Sequence, residues 1–236
     1  MMVWMIDNKI NQNQETWDKI AYSFDSTRRK PWEKCIDFID NLPRNYFIAD
    51  VGCGNGRHLI HCAKRCKKAV GIDISKELIR IIKTKTKVLN IDNIDLIHTD
   101  AVNLPIKNNV FDAVIFIASL HNIKGNANRI KSLDEIYRVL KNDGEALISV
   151  WSRWQDKFRK DFFKRWFTQF NQNEFGDIDI YWKQHGLNIP RFYHLYSKRE
   201  FIKDLTKANF KIIDFTEEKI HSNKHPDNFF AVIEKK

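Results

Sequence analysis

The sequence predicts an α/β fold: a parallel sheet covered on both faces by helices and closed by a C-terminal antiparallel hairpin. Three observations carry this. Short apolar runs alternate with helical patterns from Tyr46 to Val150, the first run ends abruptly in a glycine loop, and two last runs flank a Pro/Asn/His turn. The 236 residues are enough for one domain with a sizeable core. The expected organisation is a single domain over 1–236, with a helical cap over 10–43 and a helical insertion over 152–190.

The elements follow in order. Trp17, Ile20, Ala21 and Phe24 recur at helical spacing ahead of the first strand. A basic turn, Thr27-Arg28-Arg29-Lys30-Pro31-Trp32, leads into a helix through Cys35, Phe38 and Ile39. Tyr46–Val51 is a buried strand, followed by a helix through Leu59, Ile60 and Ala63. Ala69–Asp73 is the second strand, and Ser75 caps a helix through Leu78, Ile81 and Ile82. Ile94–His98 and Phe111–Ile117 are the third and fourth strands. Leu133, Ile136, Val139 and Leu140 mark a helix that Gly144 is expected to stop, and Ala146–Val150 is the fifth strand.

The alternation then breaks. Residues 152–190 carry no strand signal; Trp154, Phe158, Phe162, Trp166 and Phe170 form an aromatic stripe opposite Arg153, Lys157, Arg159, Lys160, Lys164 and Arg165. The rings read as packing inward, and the basic face as a candidate to meet phosphates. Ser197 and Glu200 form a capping box, and residues 211–220 and 229–234 are the closing hairpin.

Lys and Arg exceed Asp and Glu by 40 to 30, which suits a polyanionic partner such as nucleic acid. No stretch is apolar and long enough to cross a membrane as a helix, and the first residues lack the pattern of a secretory leader. Cys35, Cys53, Cys62 and Cys66 include no CxxC pair, so the reading is reduced cytoplasmic thiols with no metal site.

The sharpest signal is Asp50-Val51-Gly52-Cys53-Gly54-Asn55-Gly56. Alternate glycines at the carboxyl end of a strand let the backbone approach a ligand that side chains would exclude. The next helix turns its amides toward the same place. Arg57 stands where a dinucleotide fold needs its third glycine. Asp73 ends the second strand, where a carboxylate takes both hydroxyls of an adenosine ribose. Asp100, ending the third and followed by Ala101, is placed for an adenine amino group.

This set resembles the class I S-adenosylmethionine-dependent methyltransferases over residues 46–151, including Leu104-Pro105, Phe111-Asp112 and Glu135–Leu140 before Gly144. The resemblance implies a Rossmann-like seven-stranded sheet of order 3-2-1-4-5-7-6, with the helical insertion between strands five and six. It implies S-adenosylmethionine as cofactor, held by Asp50, Gly52, Gly54, Asn55, Gly56, Asp73, Ile74, Asp100, Ala101 and Ile117, with Arg28 beside them. Substrate does not follow from these motifs, which serve the cofactor.

The mouth of the fourth strand reads Ile117-Ala118-Ser119-Leu120-His121-Asn122, not the Asn/Asp-Pro-Pro-Tyr of amine-directed enzymes. With His121, the segments Thr27–Trp32 and Arg191-Phe192-Tyr193-His194-Leu195-Tyr196 resemble the methyltransferases that esterify 5-carboxymethyluridine at the tRNA wobble position, from about Trp17 to Ile233. Asn122 departs from a second histidine usual in that family. The resemblance implies tRNA, through its anticodon stem-loop, as partner. It implies substrate-side roles for Arg28, Lys30, Trp32, His121, Arg191, Tyr193 and His194, and a small zinc-binding activator protein on the apolar edge strand Ile94–His98.

The chemistry agrees. A carboxymethyl carboxylate, with a pKa of about 4.3, is ionised at neutral pH and needs no general base. It needs donors that orient it in a partly dry pocket, and Arg28, Arg191 and Tyr193 are of that type. One bidentate arginine is expected rather than several, because strong pairing would stabilise the ground state. Trp32 or Tyr193 can stack on an extruded uracil. Bland roles stand beside these: a solvated turn for Arg28–Lys30, a satisfied loop histidine for His121, and an anchor of the insertion for Tyr193 and His194. The rival readings are a small-molecule methyltransferase and a non-catalytic RNA-binding scaffold.

Overall fold

The computed structural model describes residues 12–168 and 174–236. Residues 10 and 11 of the expected cap, the Trp166 side chain and Phe170 lie outside the described residues.

Helix α1 (Gln12–Thr27) buries Ile20 and Ala21, and with Trp17 and Phe24 it packs on the helix that follows strand two. Helix α2 (Glu33–Asn41) turns Cys35 and Ile39 into the core. Strand β1 (Phe47–Val51), helix α3 (Leu59–Arg65), strand β2 (Lys68–Asp73), helix α4 (Lys76–Val88) and strand β3 (Ile94–His98) make the first half of the sheet. Ser75 caps α4 as expected, its hydroxyl accepting the Leu78 N–H. Strand β4 (Phe111–Ile117), helix α5 (Asn126–Val139) and strand β5 (Leu140–Trp151) follow. Four of the five β1 residues are buried, because helices cover both faces of a parallel sheet.

Gly144 does not stop α5. The helix ends at Val139 and β5 begins at once, pairing Phe111 with Leu140 and then Ala113 with Glu145. Gly144 lies in that irregularity, where a Cβ would stand 2.9 Å from the Lys141 carbonyl and 3.1 Å from that of Asp112.

The insertion is a second correction. Helix α6 (Arg159–Thr168) is present, but strands β6 (Asp177–Trp182) and β7 (Ile189–His194) form a two-stranded antiparallel ribbon. The missed signal is a period of two: Ile178, Ile180 and Trp182 alternate with Asp177, Asp179 and Tyr181. The ribbon is too short, and too rich in aspartate, to stand out as a core strand. Phe158 and Phe162 of the stripe do pack inward, with Ile180, Tyr193 and Leu195.

Helix α7 (Lys198–Lys207) opens on the expected Ser197–Glu200 capping box. Strands β8 (Phe210–Glu218) and β9 (Asn228–Lys235) close the sheet, with β9 antiparallel to β5. The order is β3-β2-β1-β4-β5-β9-β8, the expected 3-2-1-4-5-7-6 with the ribbon strands counted. The insertion is fastened at its base by buried charges. Arg129 pairs with Glu174, Arg153 with Glu200, and His194 lies between Asp177 and Glu200.

Candidate active site

One cavity of about 750 Å³ lies at the carboxyl ends of β1, β2, β3 and β4, under α1 and the ribbon. Its floor is the glycine loop. Gly52 has φ +67°, and a Cβ there would stand 2.3 Å from the Ser119 Oγ, which itself donates to the Gly52 carbonyl at 3.2 Å. Glycine therefore lets the loop turn under the mouth of β4.

Asp73 is the acidic wall. Its Oδ2 accepts the Gly54 N–H and its Oδ1 the Ser75 N–H, both at 2.8 Å. Each oxygen keeps a lone pair for a further donor. Burial pushes this carboxyl up to about 6, against the two N–H groups that pull it down. Asp100, whose Oδ1 accepts the Val102 N–H, and Ala101 line the far end with Ile74.

Asn55 joins the loop to the cap. Its Nδ2 donates to the Arg28 carbonyl at 2.7 Å and to Asp25 Oδ1 at 2.9 Å, and Lys85 reaches both Asp25 and the Asn55 carbonyl. Two expected residues lie beneath the cavity instead of lining it. Gly56 is small because a Cβ would meet Ile82 at 2.9 Å. Asp50 is fully buried, takes the Leu59 N–H, and is held well above the usual carboxylate range by burial and by Asp73.

The other end is assembled from distant segments. Arg28, Lys30 and Trp32 come from the cap, Ile117, Ser119, His121 and Asn122 from the mouth of β4, Trp151 from the end of β5, and Arg191 and Tyr193 from β7. Strand alternation turns Arg191 and Tyr193 into the cavity and sends His194 the other way. His194 is therefore not at the site: its Nδ1 pairs with Asp177 at 2.7 Å and its Nε2 with Glu200 at 2.9 Å. It anchors the insertion.

Arg191 is buried, its Nε lacks a hydrogen-bond partner, and no carboxylate among the described residues pairs with it. Its guanidinium carbon lies 4.8 Å from the Trp182 ring centroid, 5.0 Å from that of Tyr193 and 5.7 Å from that of Trp17. Arg28 also stands over Trp182, at 5.4 Å. Burial first, then the Arg28 charge, lower the Arg191 pKa below the ordinary guanidinium range. Tyr193 stacks on Trp151 at 4.9 Å and on His121 at 5.2 Å. Trp32 lies under Arg57, with His58 and Phe230 at its edges.

Trp17, Trp151 and Trp182 also stand at or behind this end of the cavity, and the sequence does not mark them as site residues. Their only sequence signals are helical spacing for Trp17, a place at the end of a strand for Trp151, and the ribbon's alternation for Trp182. The arrangement can hold a ligand with vicinal hydroxyls at Asp73 and an anion at Arg191, where a neutral histidine, His121, stacks on Tyr193.

Residues 49–148 match the family model described as a methyltransferase domain. A tRNA (carboxymethyluridine(34)-5-O)-methyltransferase of Arabidopsis thaliana is 39% identical over 140 residues, 59% of this chain and 32% of that protein. One of the same name from Schizosaccharomyces pombe is 25% identical over 94% of this chain and 95% of its own. The chain spans about a third or less of the length of several curated relatives. Among solved structures, a SAM-dependent methyltransferase from Methanosarcina mazei superposes with TM-score 0.72 at 21% identity, covering 87% of this chain and 98% of that one.

Proposed function

We propose, on the premise that the chain carries a methyltransferase domain of the class I S-adenosylmethionine-dependent fold, that it converts 5-carboxymethyluridine at the tRNA wobble position to its methyl ester. The observation that carries the acceptor class is Arg191, a buried cation facing the cavity with no carboxylate of its own among the described residues. The relatives' names support the same acceptor.

The cofactor end fits S-adenosylmethionine: Asp73 has a lone pair on each oxygen for the ribose hydroxyls, and the loop at Gly52 and Gly54 has no side chain to obstruct it. Asp73, Gly52, Gly54, Asn55, Ile74, Asp100, Ala101, Ile117 and Arg28 would hold it, with Asp50 and Gly56 shaping the loop from below. When bound, the cofactor supplies an electrophilic methyl group.

The chain's own residues position the nucleophile. Arg191, with Arg28 and Lys30 near the entrance, orients the carboxylate, which is ionised without help from a base. Tyr193 is already committed to Arg191, Trp151 and His121, so the extruded uracil falls to Trp32. His121 orders the pocket wall through Trp151. His194 has a positioning role at the base of the ribbon.

The exposed basic residues Arg159, Lys160 and Lys164 would meet phosphates of the anticodon stem. The sheet edge β3, with Ile94, Leu96 and Ile97 only half-buried, would be covered by a small zinc-binding activator protein. No helix among the described residues is long and apolar enough to cross a membrane, and we place the reaction in the cytoplasm, on a single domain.

The test is nucleoside mass spectrometry of wobble-modified tRNA incubated with the protein, S-adenosylmethionine and an activator protein. One methyl gained on 5-carboxymethyluridine and lost on mild alkaline hydrolysis is the expected result. Cofactor binding without any methylation of that nucleoside would move the acceptor to a small molecule.

A further inference from the structure

Arg28 and Arg191 belong to distant parts of the chain, yet both stack on one indole, that of Trp182. Trp182 is 3% exposed and stands behind the two arginines, outside the cavity lining. Its position is fixed. The indole Nε1–H donates to Ser23 Oγ at 2.9 Å, and Phe24 packs at 5.9 Å between centroids. The same Ser23 hydroxyl hydrogen-bonds with His185 Nδ1, 2.8 Å away on the turn of the ribbon. Ribbon and cap are thus fastened to each other through this one side chain.

Two guanidiniums this close repel, and the Arg28 charge does bear on Arg191. Something must hold them together. A carboxylate would do so but would cancel the charge that the site needs. Neither arginine has one among the described residues: the Arg28 guanidinium donates to its neighbour's carbonyl at 3.3 Å, and the Arg191 Nε has no partner. The π-face of an indole attracts both cations without neutralising either.

We propose that Trp182 is the positioning residue that holds Arg28 and Arg191 as one anion-binding pair, and that the preference for an ionised carboxylate over an uncharged acceptor rests on it. The inference rests on the acceptor class proposed above. It has a consequence for turnover: the methyl ester is uncharged, so the pair that gathers the substrate loses its ionic hold once the product forms.

The experiment compares wild type, Trp182→Leu, Trp182→Phe and Ser23→Ala. Each is titrated, with S-adenosylhomocysteine present, with an anticodon stem-loop bearing 5-carboxymethyluridine or its uncharged 5-carbamoylmethyl counterpart. Wild type should prefer the carboxylate by roughly tenfold or more, and Trp182→Leu should bring the ratio near one. Trp182→Phe, which keeps a ring, should retain an intermediate preference, and Ser23→Ala should lose part of it. Because Arg28 also lines the cofactor end, S-adenosylhomocysteine is held saturating for each variant, and thermal unfolding reports folding. A wild type with no turnover on carboxymethyluridine tRNA would defeat the acceptor assignment itself. A working wild type whose preference survives in Trp182→Leu would overturn the role of Trp182. Should Trp182→Leu fail to fold, unchanged preference in both Trp182→Phe and Ser23→Ala overturns it equally.

Discussion

The backbone N–H of Trp151 donates to Nδ1 of His121 at 3.0 Å, and this bond limits what the histidine can do. With Nδ1 accepting, the proton of the neutral ring sits on Nε2. Burial, followed by the charges of Arg191 and His194, lowers the imidazole to about 3. His121 is therefore neutral whenever the acceptor is ionised. The expected pH profile of methylation has no inflection from this residue between about pH 6 and 8. His121→Phe keeps a stacking ring but leaves the Trp151 N–H without its acceptor. Urea unfolding should show a loss of about 1–3 kcal/mol. An inflection present in wild type and missing in the variant would make His121 a base.

Asp73 gives a pH dependence of opposite origin. Burial raises its carboxyl to about 6, so it is protonated below that pH in the ligand-free protein. A carboxylate accepts hydroxyl hydrogens better than a carboxylic acid does. Cofactor affinity should therefore be full above about 6 and fall as pH drops through it, read by calorimetry. Between the ordinary 3.8 and about 6 the folded protein holds this proton more tightly than the unfolded chain, so the ligand-free fold loses stability as pH rises through that window. Asp73→Asn should weaken S-adenosylmethionine binding roughly 10- to 100-fold and remove the pH dependence.

Arg191 separates cofactor from acceptor. Arg191→Ala should leave S-adenosylhomocysteine affinity unchanged while reducing methylation of carboxymethyluridine by roughly 100-fold or more. Arg191→Lys should recover little, because an ammonium is a point charge and cannot meet a carboxylate with two parallel N–H bonds. Wild-type turnover in Arg191→Ala would move the anchoring role elsewhere.

His194 controls the stability of the insertion. Burial alone would lower its pKa, but the bonds to Asp177 and Glu200 outweigh it and the net shift is upward. A raised pKa means stability that is fully present below the ordinary 6.5 and is lost as pH rises through the folded-state value. Urea midpoints should fall on the alkaline side in wild type and stay level in His194→Gln. His194→Ala, which leaves Asp177 and Glu200 facing each other, should cost about 3–5 kcal/mol.

What was legible in the sequence was local. The glycine loop, Asp73, Asp100 and the Ser75 cap each sit within a few residues of a strand end, and the structure brings Gly52, Gly54, Asp73 and Asp100 to one cavity. Arg28, Arg191 and Tyr193 were legible through a family resemblance, and they converge with His121. The ribbon was not legible, because six residues of alternation, two of them aspartates that disfavour strands, do not outweigh an aromatic stripe beside them. Without it, the direction of each β7 side chain is undetermined, and the sequence offers no reason to separate His194 from Tyr193, although they face opposite ways. Trp182 was hidden for the same reason: its importance depends on two arginines that only tertiary structure brings to it.

The cavity divides along the chain as well as in space. Its cofactor end is drawn mainly from one stretch, Gly52 to Ala101, with Arg28 and Ile117 added, whereas its acceptor end borrows from the cap, the mouth of β4 and the ribbon. Cap and ribbon lie outside the sheet: α1 packs on α4 through Ala21, Trp17 and Phe24, and Asn55 bonds the Arg28 carbonyl. Exchanging cap and ribbon would therefore change the acceptor end while leaving Gly52, Gly54 and Asp73 in place. The same division makes the protein a candidate for grafting: a foreign cap and ribbon carried as a pair would bring their own acceptor with them.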